Sequence, residues 1–152
     1  MPKLIVRPSD YLVTTRELDL FAAIIWAIYA AWGLVTSLNG LATISDLVGE
    51  VFNTIWSGAI GVTGLVAAIA ATSIFFKTRL SQILKKKIEL VATVLLAVLI
   101  TIYPVYLLIL GLFTEDMDRL VTFVLSLLYI VIPIARARIL TFRIKNYGIT
   151  RN

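Results

Sequence analysis

Apolar and polar positions fall in long blocks along this chain, and four of the apolar blocks are uninterrupted. Residues 20–38, 54–76, 90–113 and 120–135 contain no Asp, Glu, Lys, Arg or His. At about 1.5 Å of rise per helical residue, the first three can cross a hydrocarbon layer roughly 30 Å thick. The fourth is shorter and is bounded by Arg119 and Arg136. The long stems of those arginines can reach back to headgroups, so the fourth helix is expected to run past Arg136 toward Phe142; a re-entrant hairpin is the alternative. In lipid a segment must satisfy its own backbone polar groups, which makes each block a predicted α-helix. The expectation is an all-α integral membrane protein, one domain of four transmembrane helices in an up-down-up-down bundle. Its spans are placed at 20–38, 54–76, 88–113 and 120–142, between an N-terminal segment, 1–19, and a basic tail, 143–152.

Local signals refine the ends. Thr14 and Glu17 have the spacing of a capping box, with Val13 and Leu18 as its hydrophobic staple, so helix 1 is expected to start near Thr15. Asn39-Gly40 supplies the left-handed positions that commonly end a helix. The leader before the first block carries both signs of charge and no A-x-A site follows it, which favours a first span over a cleaved signal peptide. Between the first two blocks, Leu41, Ile44, Val48, Val51 and Ile55 recur at steps of three and four. A short interfacial helix fits that rhythm, and a plain connector is the simpler reading.

Composition agrees with the pattern: the chain is 60% hydrophobic and 15% charged, with a mean hydropathy of +0.96. Its net charge of +5 is distributed by side. Thirteen of the fourteen basic residues precede helix 1, lie between helices 2 and 3, or follow helix 4, leaving only Arg119 in the remaining loops. Because short loops rich in Lys and Arg stay inside, both termini and the 77–87 loop are expected to be cytoplasmic. Lys85, Lys86, Lys87, Arg136, Arg138, Arg143 and Lys145 are then candidates for contact with anionic lipid headgroups. That explains the basic tail more simply than nucleic-acid binding does.

Candidate chemistry is sparse. The chain has no Cys and no His, which excludes disulfides, thiolate and imidazole catalysis, and the commonest transition-metal ligands. Neither an enzyme nor a cofactor is expected. The carboxylate nearest a span, Glu89, is placed in the first turn of helix 3 as a structural cap beside the lysines. Ion-coupled transport usually keeps an ionisable group at depth, and none is expected here. Tyr103, Tyr106 and Tyr129 put hydroxyls within spans, and that of Tyr129 should need a partner in the bundle. Trp56 reads as an interfacial anchor; Trp26 and Trp32, deeper, read as packing or lipid-facing. Pro104 and Pro133 should free the carbonyls of Ile100 and Tyr129 and bend their helices.

The clearest packing signal is in helix 2, where Ser57, Gly61, Gly64, Ala68 and Ala71 follow one another at steps of 4, 3, 4 and 3. A stripe of small residues lets backbones approach closely, the main attraction available in lipid. Its expected partner is helix 1, through Ala23, Ala27 and Ala31, with a subunit interface as the alternative. The resulting functional expectation is a non-enzymatic membrane protein acting through helix association. It would be an accessory subunit beside a membrane-protein partner, or a self-assembling, holin-like permeabilising protein. A channel or carrier for an uncharged or lipidic substrate is the competing reading, and it should show a polar-lined cavity between the spans.

Overall fold

A computed structural model describes residues 8–39, 49–72, 79–114 and 117–149, and it is all-helical there. Four helices account for nearly all of these residues: α1 Pro8–Asn39, α2 Glu50–Ala71, α3 Arg79–Thr114 and α4 Met117–Ile149. Each contains a stretch long and apolar enough to cross a membrane. At about 1.5 Å per residue, the 36 residues of α3 reach roughly 54 Å, so its ends extend well beyond a 30 Å apolar layer.

The helices are longer at their polar ends than the apolar blocks predict. α1 begins at Pro8, so Thr14 lies inside the helix and is not its N-cap. A proline in the first turn accounts for the earlier start, since its fixed φ suits that turn and its missing N–H would have had no helical partner. α3 begins at Arg79, which puts Glu89 nearly three turns inside and removes its role as a first-turn cap. α4 continues through Arg136 as expected, then seven residues beyond Phe142 to Ile149, so most of the predicted tail is helical. The interfacial segment at 41–48 lies outside the described residues, whereas Val51 and Ile55 belong to α2.

α2 opens at Gly49, whose φ of 85° is a left-handed conformation that glycine adopts without strain. The Gly49 carbonyl accepts from the Asn53 N–H at 3.2 Å. Glu50 in the first turn complements the helix dipole. Several Ser and Thr hydroxyls within the helices bond back to carbonyls one turn earlier, as Ser57 does to Asn53 and Thr101 to Ala97.

Successive helices pack side by side: α1 on α2, α2 on α3, and α3 on α4. The tightest seam is α1 on α2. A Cβ added at Gly33 would lie 2.4 Å from the Gly61 nitrogen, and one at Gly64 would lie 2.8 Å from the Ala30 nitrogen. The pairing descends α1 as it rises along α2, so these two helices run antiparallel. Ser57, Gly61, Gly64 and Ala71 are buried and Ala68 is half-buried, with the Ser57 carbonyl and both glycines against α1. On α1, however, Ala27 and Ala31 are exposed. The buried series is Ala23, Trp26, Ala30 and Gly33, at steps of 3, 4 and 3. A strict i, i+4 row drifts about 40° per step around a helix of 3.6 residues per turn, so alternating steps are needed to stay on one face.

Facing outward are large apolar side chains on every helix, among them Phe21, Leu38, Val51, Phe113 and Leu128.

Candidate functional site

Two features occupy the interior between α1, α3 and α4: a cluster of charges toward one end and an apolar cavity beyond it.

The cluster is centred on Arg136. Its Nε donates to Glu89 Oε1 at 2.8 Å and one terminal nitrogen donates to Asp19 Oδ1 at 2.7 Å. Arg143, two turns further along α4, donates to the same Asp19 oxygen at 2.7 Å. Three helices are thereby tied together, with Asp19 on α1, Glu89 on α3 and both arginines on α4. Glu89 is only 1% exposed. Lys85 and Lys86, just before it on α3, are also buried. A buried ion pair is costly to desolvate and is sustained by close geometry and multiple hydrogen bonds. Arg136 meets that requirement with two carboxylates around one planar guanidinium.

Four of the seven basic side chains expected at headgroups, Lys85, Lys86, Arg136 and Arg143, are therefore placed on buried helix faces. Lys87, Arg138 and Lys145 are exposed. Lys87 borders an apolar groove between α2 and α3, and Arg138 with Lys145 borders another between α3 and α4. Asp19 was not singled out by sequence reasoning, because it stands at the border of an apolar block and reads there as a helix end. A signal for Glu89 was present: it heads the series Glu89, Thr93, Leu96, Ile100 and Tyr103, at steps of 4, 3, 4 and 3, which is one face of α3.

The cavity has a volume of about 440 Å³. α1 contributes Ile25, Ile28, Tyr29 and Trp32, and α2 contributes Trp56 and Ile60. Ile100, Tyr103 and Pro104 come from α3, and Ser126, Tyr129 and Ile132 from α4. Trp56 is 4% exposed, so it is an interior residue and not an interfacial anchor. Its indole N–H donates to the Leu99 carbonyl at 2.8 Å, its ring stacks on Tyr103, and Trp32 meets it edge-on. The polar tip of Trp56 is thus satisfied by backbone just ahead of the Pro104 position. Of the other two tryptophans, Trp26 is fully buried against Tyr29 and Trp32 is half in contact with the exterior.

Across the cavity, the Tyr29 hydroxyl donates to the Tyr129 carbonyl at 2.8 Å. That carbonyl is the one Pro133 leaves without its helical donor, four residues ahead. The bond is to the Tyr129 backbone and not to the hydroxyl expected to need a partner in the bundle; Tyr129 is instead 60% exposed. Among the described residues, α1 and α4 do not pack along each other as successive helices do. What joins them is the Tyr29 bond and the Asp19 ion pairs, with the cavity between.

No group of three or more carboxylates suited to a metal ion occurs among the described residues. Neither the protein-family models, nor the curated proteins, nor the solved structures compared with this chain gave a match.

Proposed function

We propose that this chain is a multi-pass membrane protein that takes a lipidic ligand into the cavity between its four helices, as a carrier or binding protein. The observation that carries the reading is the cavity. Its size lies within the roughly 300–1,000 Å³ typical of small-molecule sites. Its wall is aliphatic and aromatic, and the few polar groups on it are the hydroxyls of Tyr29, Tyr103, Ser126 and Tyr129 and the Trp rings. Such a lining favours a long apolar chain and offers little to an ion. Entry from the side is supported by the loose seam between α1 and α4, which would let a chain pass from bilayer to cavity without crossing a charged surface.

The outward apolar side chains support a bilayer location, since a soluble protein rarely exposes so continuous an apolar surface. The partition of Lys and Arg supports an up-down-up-down course with both termini cytoplasmic. In that orientation the exposed Lys87, Arg138 and Lys145 are available to anionic headgroups of the surrounding leaflet. Helix association as the main role, in an accessory subunit or a holin-like assembly, drew on the small-residue stripe of α2. That stripe faces α1 of the same chain, so it gives a second subunit little to use.

The test uses Trp56 as a reporter. With Trp26 and Trp32 replaced by Phe, the purified chain in a non-brominated detergent is titrated with a monoacylglycerol brominated along its chain. Saturable quenching of Trp56 is expected, and Ser126→Phe, which fills the cavity, should abolish it. Non-saturating quenching indifferent to Ser126→Phe would show that the chain only bathes the outside of the bundle.

A further inference from the structure

The two grooves on the outside of the bundle differ in charge. The one between α2 and α3 has a volume of about 460 Å³ and a single basic side chain on its border, Lys87. The one between α3 and α4 has a volume of about 540 Å³ and two, Arg138 and Lys145. Among the described residues, neither groove is lined by an acid.

Small residues account for the hollow between α3 and α4. Near the connection the two helices touch closely, since a Cβ added at Gly111 would lie 2.8 Å from the Leu120 side chain. Counting equal steps away from that contact brings Ala97 level with Ile134, and Val94 level with Ala137. Ala97 and Ala137 end at a methyl group, so each wall is short of bulk at a similar depth. Val94, Val98 and Ile134 stand beside them as exposed apolar sides.

The charge lies at one end of this hollow. Ile134, Arg138, Thr141 and Lys145 follow one another at steps of 4, 3 and 4, which is one face of α4. The eleven residues from Ile134 to Lys145 rise about 16 Å, close to half of a roughly 30 Å apolar layer, so the groove is about one leaflet deep. Arg138 and Lys145 are two turns apart, about 10 Å along the axis, a gap that two long flexible stems can close on one phosphate from either side. Thr141 stands between them, but its hydroxyl donates to the Ala137 carbonyl at 2.8 Å, so the two cations are left to make the head contact. Arg136 and Arg143, on the inner side of the same helix, are held by Asp19 and Glu89.

We infer that the α3–α4 groove is a binding site for one anionic phospholipid, with an acyl chain lying over Ala97 and Ala137 and the phosphate held between Arg138 and Lys145. The site shares the bilayer location of the proposed function and needs nothing of the central cavity. An uncharged apolar segment would cover the groove and bury two cations without a counter-charge. A free anion would meet two exposed cations whose attraction salt screens, and it would leave the apolar walls uncovered. A phospholipid of the surrounding leaflet brings both parts at the depth the groove presents them, and an arginine fork beside a lysine suits its phosphate.

The delipidated full chain in detergent is titrated with dioleoyl phosphatidylglycerol, with dioleoyl phosphatidylcholine, whose phosphate charge is cancelled by choline, and with glycerol 3-phosphate, which has no chain. Native mass spectrometry counts what is bound. One phosphatidylglycerol per chain is expected to bind at least about tenfold more tightly than phosphatidylcholine, the size of effect that two cations near a membrane surface supply. Arg138→Gln with Lys145→Gln should remove that preference, and Lys87→Gln should leave it in place. Ala97→Phe, which fills the hollow, should weaken both lipids; the charge substitutions stand on exposed positions, so the test does not depend on that variant folding. Equal binding of the two lipids, or an equal loss from Lys87→Gln, would overturn the inference in favour of an unselective lipid belt. Glycerol 3-phosphate bound as tightly as phosphatidylglycerol, or a dimer of the chain that lipid displaces and Ala97→Phe breaks, would overturn it in favour of another occupant. Ser126→Phe, which fills the central cavity, should leave phosphatidylglycerol bound; its loss there would move the lipid into the cavity, sinking the groove site while the proposed function stands. Phosphatidylglycerol retained by a chain whose Trp56 shows no saturable quenching would sink the proposed function and keep the groove site.

Discussion

Arg136 donates to Glu89 and to Asp19 at once, so removing its guanidinium strands the buried Glu89 carboxylate and leaves Asp19 with Arg143. Arg136→Met is expected to lower the unfolding free energy by about 3–5 kcal/mol, the usual cost of an uncompensated buried charge. Adding Glu89→Leu to that variant should recover part of the loss, because an apolar pair of similar volume carries no desolvation penalty. Denaturant titration in mixed micelles gives both values, and a neutral Arg136→Met would mean that water reaches the cluster. The residues of this cluster were hard to read in the sequence for a common reason. Asp19, Glu89 and Arg136 each border an apolar block, where a charge has a sufficient local explanation as a helix end or an interfacial anchor. Their mutual contacts span between 47 and 117 residues of chain, a relation that no local pattern encodes.

Between α1 and α2 the limiting contact is Gly33 against Gly61, where any side chain would overlap backbone. Gly33→Leu, Gly61→Leu and Gly64→Leu should each lower detergent thermal stability sharply, while Ala31→Leu on the exposed face of α1 should not. Equal effects from Gly33→Leu and Ala31→Leu would place the wrong face of α1 in the seam. The stripe on α2 was legible because five small residues hold the helical rhythm; its counterpart was not, because Trp26 stands in the middle of it. On the other side of the bundle, Tyr29 supplies the donor that Pro133 denies to the Tyr129 carbonyl. Tyr29→Phe is expected to cost about 0.6 kcal/mol and at most about 1.7, the range measured for hydrogen bonds between membrane helices. In the background of Pro133→Ala, which restores the helical donor, the same change should cost less. A double-mutant cycle without that coupling would detach the two residues from each other.

At the scale of the molecule, reporter fusions at Lys77 and Asn152 should report cytoplasm and fusions at Asp46 and Asp116 the opposite side, as the partition of Lys and Arg predicts. An external signal from Lys77 would break the four-span course. The number and apolar character of the helices were readable from block lengths alone, since lipid imposes so strong a constraint on backbone and composition. The cavity was not, because its residues are isoleucines and aromatics that a helical face displays equally toward lipid. A different consequence follows from the ion pair between Asp19 and Arg136, which closes the first helix on the last across 117 residues. At roughly 5–20 residues per second of synthesis, Asp19 waits about 6 to 23 seconds for its guanidinium. In a chain that inserts as it is made, α1, α2 and α3 reach the bilayer with both carboxylates of the cluster still lacking their arginines. A chain cut short before α4 would keep the α1–α2 and α2–α3 seams but leave Asp19 and Glu89 without their arginines. Only when α4 is complete do both acids have their arginines.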